Sequence, residues 1–267
     1  MSFYSRLETR AERLGRICVG IDPHPGVLDA WGVTHDLAGV KRVAMGTVEA
    51  LADYVTAFKP QSAFFEQWGS RGIAILERCL SAIHESGGLA ILDVKRGDIG
   101  STMEAYARAY LSDGPLSVDA ITISPYLGFD SLLPAIETAE ANGRGVYVLA
   151  RTSNPEGGEI QLGRTQSGQG VAQSIVDLAG ERNRRSGLNT VGLVVGGTHD
   201  SLGIDLSGYQ GSILIPGIGA QGGRISGLAS SFTQTPALLL PSVSREVLNA
   251  GPNPQGLRDA VARVLGS

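Results

Sequence analysis

The chain has 267 residues, of which 42% are hydrophobic and 18% are charged, and its formal net charge at pH 7 is -4. This composition supplies a sizeable core and excludes a disordered or collagen-like chain, in spite of 37 glycines. The negative charge excludes a general electrostatic attraction to nucleic acid or to an anionic membrane surface. Any phosphate group must therefore be bound by a local arrangement of residues.

The first predicted element is a helix at about residues 3–15. Apolar residues recur there at helical spacing, at Phe3, Leu7, Ala11 and Leu14. This segment lacks the apolar core of a secretory signal, and its acidic residues argue against a transit peptide. No later stretch approaches the length needed to span a membrane. The sequence therefore predicts a cytoplasmic protein.

Eight short apolar runs follow along the chain. They lie at residues 17–22, 54–60, 89–95, 119–125, 145–152, 191–197, 212–217 and 236–242. Most are separated by stretches with helical periodicity that end at glycine, which is the alternation expected of a parallel sheet with crossover helices. Eight strand-helix units close a (β/α)8 TIM barrel, whereas a doubly wound sheet usually needs fewer strands. We therefore predict a single α/β barrel domain over residues 1–267.

The longest irregular stretch lies at residues 153–170 and is rich in glycine and glutamine. It is too long for an ordinary connection between a strand and a helix. We interpret it as a mobile loop over the catalytic face of the barrel. A plain surface insertion is the alternative.

Charged residues end the first three predicted strands, where a barrel places its active site. Asp22 ends the first, Lys59 the second, and Asp93 with Lys95 the third. The chain contains only three lysines, and two of them stand at these strand ends. Lysine can transfer a proton near neutral pH, whereas arginine cannot. The pattern predicts a site for proton transfer or for a compact positive charge, with a structural network of ion pairs as the alternative.

Residues around the third strand end extend this cluster. Asp93 and Lys95 are two positions apart on a strand, so their side chains point to the same side. Asp98 lies beyond the strand in the following loop. Ser101 and Glu104 match a capping box for the next helix, which leaves Asp98 available for another role.

A glycine-rich segment, PGIGAQGG at residues 216–223, follows the seventh predicted strand. It contains the spacing G-x-G-x-x-G, but no acidic residue follows at about 20 positions, as a dinucleotide site requires. A glycine loop after strand seven and Arg245 after strand eight instead match the usual phosphate site of a barrel. The amide of Gln221 can donate to the same phosphate.

The cysteines and histidines show no spacing typical of metal ligands. Cys18 and Cys79 lie far apart, which predicts two reduced core cysteines rather than a disulfide or a zinc site. The four histidines form no pair with ligand spacing, so no metal site is indicated. His24 and His199 follow strands and are interpreted as hydrogen-bonded loop histidines, although they could also face the barrel mouth.

Together these features resemble the orotidine 5'-phosphate decarboxylase family. The resemblance rests on D-x-K-x-x-D at residues 93–98, on Lys59 and Asp22 at earlier strand ends, and on PGxGAQGG followed by Arg245. It covers the chain from about residue 17 to residue 245, and the run DVKRGDIGST is similar to the longer bacterial subgroup.

The resemblance implies decarboxylation of orotidine 5'-phosphate to UMP in de novo pyrimidine biosynthesis, with no cofactor and no metal. The implied catalytic residues are Lys59, Asp93, Lys95 and Asp98, with Lys95 as the proton donor to C6 of the pyrimidine. The implied substrate-binding residues are Asp22, Ile99, Thr102, Ser153, Pro216, Gln221 and Arg245. Asp22 would contact the ribose, Ser153 or the adjacent Thr152 the pyrimidine, and Gln221 and Arg245 the phosphate. A homodimer is also implied, in which Asp98, Ile99 and Thr102 enter the neighbouring subunit's site.

Two other functions would use part of the same pattern. A related metal-dependent sugar-phosphate enzyme, such as a hexulose-phosphate synthase, needs an acidic metal ligand near strand two, where Glu66 lies. A non-catalytic sensor of phosphorylated metabolites would keep Arg245 and the glycine loop. Such a sensor has no need of alternating aspartates and lysines.

Overall fold

The computed structural model describes residues 1–199, 201–219 and 222–266, and its centre is an eight-stranded parallel barrel. The strands are β1 (Cys18–Ile21), β2 (Ala57–Pro60), β3 (Ile91–Arg96), β4 (Ala120–Ile123), β5 (Gly145–Arg151), β6 (Val191–Val195), β7 (Ser212–Ile215) and β8 (Leu238–Val243). They are hydrogen-bonded in the order β2-β1-β8-β7-β6-β5-β4-β3. Single bridges, Phe58 to Ala90 and Gln61 to Asp93, join β2 to β3 and close the barrel. The predicted TIM barrel is confirmed.

Helices surround the barrel. They are α1 (Phe3–Leu14), α2 (Pro25–Ala30), α3 (Leu37–Leu51), α4 (Ala63–Glu66), α5 (Gly69–Glu85), α6 (Gly100–Leu111), α7 (Leu133–Ala141), α8 (Gly157–Gln161), α9 (Val171–Ser186), α10 (Ile225–Ser231), α11 (Arg245–Leu248) and α12 (Pro254–Leu265). Within the described ranges, no helix is long and apolar enough to cross a membrane.

Two connections differ from a regular strand-helix alternation. The stretch 153–170 was predicted as loop, but it contains the short helix α8 and an antiparallel bridge between Arg164 and Gly170. The connection from β6 to β7, at residues 196–211, has no helix among its described residues. One side of the barrel mouth is therefore bordered by irregular chain.

Two apolar clusters hold the fold together. The larger cluster lies between the strands and the surrounding helices and includes Val19, Phe58 and Leu92. The smaller cluster fills the barrel interior, where Cys18, Tyr147 and Leu240 are buried. The alternation of side chains along each strand divides its residues between these two cores.

Helix α1 covers the end of the barrel where the strands begin. Phe3, Leu7 and Ala11 are buried against the interior cluster, and the ring of Phe3 meets Tyr147 edge to face at a centroid distance of 6.1 Å. Gly145 is required at this contact, because a Cβ atom there would lie 2.4 Å from the Phe3 ring. Since α1 covers this end, the open mouth lies at the opposite end, where the strands finish.

Candidate active site

The Asp93 carboxylate is the centre of a buried hydrogen-bonded array at the mouth of the barrel. Its Oδ2 lies 3.0 Å from Lys59 Nζ and accepts a hydrogen bond from Gln61 Nε2 at 3.1 Å. Its Oδ1 lies 2.6 Å from Lys95 Nζ and accepts a hydrogen bond from Thr122 Oγ1 at 2.9 Å. The array therefore joins the ends of β2, β3 and β4.

Burial and charge act in opposite directions on this array. Burial alone would raise the pKa of Asp93, but Lys59 and Lys95 outweigh it and hold that pKa well below its usual range. Burial alone would lower the pKa of Lys59, but the carboxylates of Asp93 and Asp22 raise it above its usual value. Asp93 is therefore ionised and Lys59 positively charged near neutral pH.

Lys95 differs from Lys59 in its exposure. The Lys59 side chain is 10% exposed, whereas the Lys95 side chain is 48% exposed, and both line the same cavity. The backbone of Lys95 has a φ of 44°, in the left-handed region that residues with a side chain rarely adopt. Lys95 is the lysine of this pair that faces open space.

A cavity of about 510 Å³ lies over the array. Asp22, Ser153, Pro216 and Arg245 line it, together with Lys59, Asp93 and Lys95. Asp22 Oδ1 and Ser244 Oγ are buried in its wall without a hydrogen-bond partner among the described residues. Gly20 separates these two side chains, and a Cβ atom there would lie 2.9 Å from Ser244 Cβ. Buried polar atoms are rarely left unpaired, so this wall fits a ligand with hydroxyl groups.

The predicted phosphate site forms one end of the cavity. Pro216, Gly217 and Arg245 line it, and the Arg245 side chain has no hydrogen bond or ion pair within the described part of the chain. Gly219 and Gly223 donate their N–H groups within the glycine loop, at 2.8 Å to Gly223 O and 3.0 Å to Gly217 O. These two N–H groups are engaged within the loop, and the phosphate contact of the glycine loop stays a prediction. Gln221 lies outside the described residues.

The two candidates for the pyrimidine contact have different surroundings. The Thr152 hydroxyl accepts a hydrogen bond from Gln161 Nε2 at 2.8 Å and lies 2.6 Å from Asn154 Oδ1. The Ser153 side chain lines the cavity without a hydrogen bond to any described residue. Ser153 therefore has the hydroxyl that remains available to a ligand. The sequence reasoning missed Gln161, which anchors α8 to the end of β5.

Three residues predicted for the site, Asp98, Ile99 and Thr102, are not among those that line the cavity over the Asp93 array. Ile99 is 62% exposed, Thr102 is exposed, and Asp98 Oδ1 accepts a hydrogen bond from the N–H of Ile99 at 2.8 Å. The predicted capping box is wrong, because α6 begins at Gly100 with Ile99 as its N-cap, and Glu104 pairs with Arg108. Ser101 therefore lies inside the helix. Within one chain these residues do not complete the array.

Among the described residues, no histidine or cysteine donates a hydrogen bond to Asp93. His199 bonds Thr152 O at 2.8 Å, and His24 accepts a hydrogen bond from Gly26 N as the N-cap of α2. Cys18 and Cys79 are buried and unpaired, and burial raises the pKa of each thiol to about 12. Over the described ranges, no group of three acidic, histidine or cysteine residues could hold a metal ion.

Gln61 and Thr122 are further site residues that the sequence reasoning missed. Both stand at strand ends, Gln61 directly after β2 and Thr122 near the end of β4. The strand-end rule that singled out Lys59 and Asp93 would also have selected these residues. Amides and hydroxyls are common in turns and carry no charge, so at a strand end they indicate a site less strongly than charged residues do.

Comparisons with known proteins point to one family. A model of the orotidine 5'-phosphate decarboxylase / HUMPS family matches residues 15–260. An orotidine 5'-phosphate decarboxylase from Salinispora tropica is 50% identical over 266 residues, which cover 99% of this chain and 96% of the relative.

Solved structures of similar proteins have the same fold. A crystal structure from Streptomyces avermitilis, provisionally assigned the same activity, has 45% identity and a TM-score of 0.91 and covers 99% of this chain and 94% of its own. Leishmania donovani OMP decarboxylase has 29% identity and a TM-score of 0.77, with both chains covered completely.

Proposed function

The chain belongs to the orotidine 5'-phosphate decarboxylase / HUMPS family, and on that premise we propose that it converts orotidine 5'-phosphate to UMP and CO2. The relatives are named for this reaction, which is a step of pyrimidine biosynthesis. The cytoplasmic location and the absence of a cofactor remain predictions. The proposal also assigns Lys95 as the proton donor to C6.

The observation that carries the proposal is the contact of one buried carboxylate with two lysines at the cavity wall. Asp93 binds Lys59 through one oxygen and Lys95 through the other. The more exposed ammonium, that of Lys95, projects toward the space that a substrate would fill. Such fixed charges stabilise negative charge that develops in a transition state without having to reorganise.

The reaction needs this kind of stabilisation. When the bond between C6 and the carboxylate carbon breaks, its electron pair stays on C6 as a carbanion with little resonance relief. The ammonium of Lys95 stabilises that charge and then transfers one Nζ proton to C6, which leaves a neutral amine. Its exposed position lets solvent restore the proton.

Asp93 contributes in two ways to this mechanism. It holds Lys95 in place, and its negative charge faces the carboxylate that leaves as CO2. Repulsion between the two carboxylates raises the free energy of the bound substrate, and the repulsion disappears as CO2 forms.

The rest of the cavity supports binding of a nucleotide. Arg245 and the residues around Pro216 provide a phosphate site at one end, and the free hydroxyl of Ser153 suits the pyrimidine. Asp22, with an unpaired buried oxygen, suits a ribose hydroxyl. Phosphate binding far from C6 would supply binding energy for closing the loop over the reacting carbon.

Asp98, Ile99 and Thr102 are assigned to the neighbouring site of a homodimer. Ile99 is 62% exposed, and the adjacent loop after β4 exposes Tyr126 and Leu127 to 78% and 52%. Large apolar side chains exposed together are typical of a surface that another protein covers. In a two-fold dimer, each subunit would add Asp98 to the array of the other.

The metal-dependent alternative places an acidic ligand near strand two. Glu66 is the candidate, but its Oε1 lies 2.6 Å from Arg96 Nη2 and bonds the Ser62 hydroxyl. This engagement with a cation favours the decarboxylase over the metal-dependent sugar-phosphate enzyme.

The test is the ultraviolet absorbance change of orotidine 5'-phosphate in the presence of EDTA. Turnover that EDTA leaves unchanged supports the proposed function. Turnover that stops in EDTA and returns with Mg2+ would contradict a metal-independent reaction, and no turnover of orotidine 5'-phosphate in either condition would contradict the proposed function. No turnover in either condition, together with tight UMP binding, would indicate a non-catalytic sensor.

A further inference from the structure

The hydroxyl of Thr122 connects the two catalytic residues of β3. Thr122 stands on β4 and is 1% exposed. Its Oγ1 lies 2.9 Å from Asp93 Oδ1, 3.1 Å from the N–H nitrogen of Val94 and 2.9 Å from that of Lys95. One side-chain atom therefore contacts three consecutive residues.

The direction of these three hydrogen bonds is fixed by their chemistry. A backbone N–H can only donate, so Thr122 Oγ1 accepts from both Val94 and Lys95. A hydroxyl has one hydrogen and two lone pairs, so its hydrogen must go to Asp93 Oδ1. The hydrogen-bonding capacity of Thr122 is then completely used.

The contact lies where β3 departs from regular pairing. Between Leu92 and Arg96 the register of β3 against β4 shifts, and within this stretch Lys95 has a φ of 44°. A left-handed backbone at a residue with a side chain is strained and persists only where the surroundings hold it. The Thr122 hydroxyl accepts the N–H of that strained residue.

We propose that Thr122 is a positioning residue, whose hydroxyl holds the left-handed turn at Lys95 and one oxygen of Asp93 in fixed register. The Lys95 ammonium and the Thr122 hydroxyl both donate to Asp93 Oδ1, while Lys59 and Gln61 donate to Oδ2. Four donors match the four lone-pair sites of a carboxylate, so the carboxylate has no free rotation. Without the hydroxyl, no single group bonds both the backbone N–H of Lys95 and the Asp93 oxygen that the Lys95 ammonium contacts.

The consequence concerns the chemical step, and it rests on the proposed decarboxylation. Displacement of a catalytic group by about 1 Å can lower a rate roughly 100-fold. The Thr122 hydroxyl has no capacity left for a substrate, so its loss is expected to change kcat more than the affinity for UMP.

The experiment compares Thr122→Val with Thr122→Ser. Valine keeps the shape of threonine but removes the hydroxyl, whereas serine keeps the hydroxyl. We expect kcat for orotidine 5'-phosphate to fall roughly 100-fold in Thr122→Val, with the Kd for UMP changed less than about threefold. Thr122→Ser is expected to keep kcat within about threefold of the unaltered protein.

Thr47→Val is the matched control for loss of a buried threonine hydroxyl. Thr47 is fully buried in α3, and its Oγ1 donates to Val43 O at 2.8 Å, within its own helix. It is expected to leave kcat unchanged. If Thr122→Val does not fold, Thr122→Cys takes its place, because a thiol donates and accepts only weakly.

A second measurement does not depend on turnover. Hydrogen exchange of peptides that cover residues 91–98, followed by mass spectrometry, is expected to be faster in Thr122→Val and unchanged in Thr122→Ser.

The outcomes separate failure of the positioning role from failure of the proposed function. If the unaltered protein turns over substrate and Thr122→Val does so equally well, the positioning role is wrong. If Thr122→Ser is as impaired as Thr122→Val, the methyl group matters rather than the hydroxyl, and the proposal is also wrong. If the unaltered protein has no turnover, the proposed function fails, and the exchange measurement still decides whether the hydroxyl holds the turn.

Discussion

Lys95 Nζ lies 2.6 Å from Asp93 Oδ1, and the two residues stand only two positions apart on β3. Alternation along a strand places both side chains on one side, and the left-handed backbone at Lys95 ends the regular strand there. The Lys95 ammonium therefore contacts the Asp93 carboxylate, and Lys95 also lines the cavity.

Lys95→Ala is expected to lower kcat by roughly 100- to 10,000-fold, because the proton donor is lost. The fold should remain, since Lys95 is half-exposed and Asp93 keeps Lys59, Gln61 and Thr122 as partners. Lys95→Arg is the control, because arginine keeps the charge but does not release a proton near neutral pH. The absorbance assay and thermal unfolding measure both properties. Near-normal turnover by the arginine variant would exclude the proton-donor role.

Arg245→Ala is expected to weaken UMP binding roughly 10- to 100-fold while leaving uridine binding nearly unchanged, because its partner is the phosphate dianion. Arg245 is exposed and lines the cavity, so its loss should not disturb the core. Calorimetric titration of both ligands into both proteins measures the difference. Equal losses for UMP and uridine would place Arg245 outside the phosphate site.

Mixed dimers test whether Asp98 serves the neighbouring subunit. Lys95→Ala and Asp98→Asn are each expected to be nearly inactive as homodimers. A mixed dimer has one site with both defects and one with neither. Random exchange between equal amounts makes half of the dimers mixed, which gives about a quarter of the unaltered activity. No recovery after exchange, confirmed by mass spectrometry of the dimers, would contradict a role for Asp98 across the interface.

Asp93→Asn is expected to reduce the free energy of unfolding by about 3–5 kcal/mol at pH 7, because it leaves the buried Lys59 without its carboxylate partner. The pKa of Asp93 is lower in the folded than in the unfolded protein. Its stabilising contribution is therefore complete above the unfolded pKa of about 3.9 and declines as the pH falls toward the folded pKa.

Urea unfolding of both proteins between pH 7 and pH 3 measures this dependence. The difference between the two proteins should be constant down to about pH 4 and then become smaller. The unaltered protein should account for that change, since asparagine does not titrate. A difference that grows on acidification would mean that Asp93 is not held ionised by its lysines.

The barrel and the chemistry of its mouth follow from the pattern of residues along the chain. Eight apolar runs that alternate with helical stretches have few arrangements other than a (β/α)8 barrel, and the carboxyl ends of those strands must meet at one face. Asp22, Lys59, Asp93 and Lys95 could therefore be assigned to one site before any contact was known. All four line the same cavity.

Which atoms meet depends on how the strands pack against one another. Thr122 stands on β4 and Gln61 directly after β2, the two strands that flank β3. Both residues are uncharged, and nothing in their local sequence indicates that they donate to Asp93. Helix α6 likewise starts at Gly100 with Ile99 as its N-cap, although Ser101 and Glu104 match a capping-box sequence. Hydrogen bonds depend on distances of a few tenths of an ångström between strands that are distant in sequence. Periodicity along the chain fixes the direction of a side chain, whereas strand register and backbone strain, as at Lys95, fix its contacts.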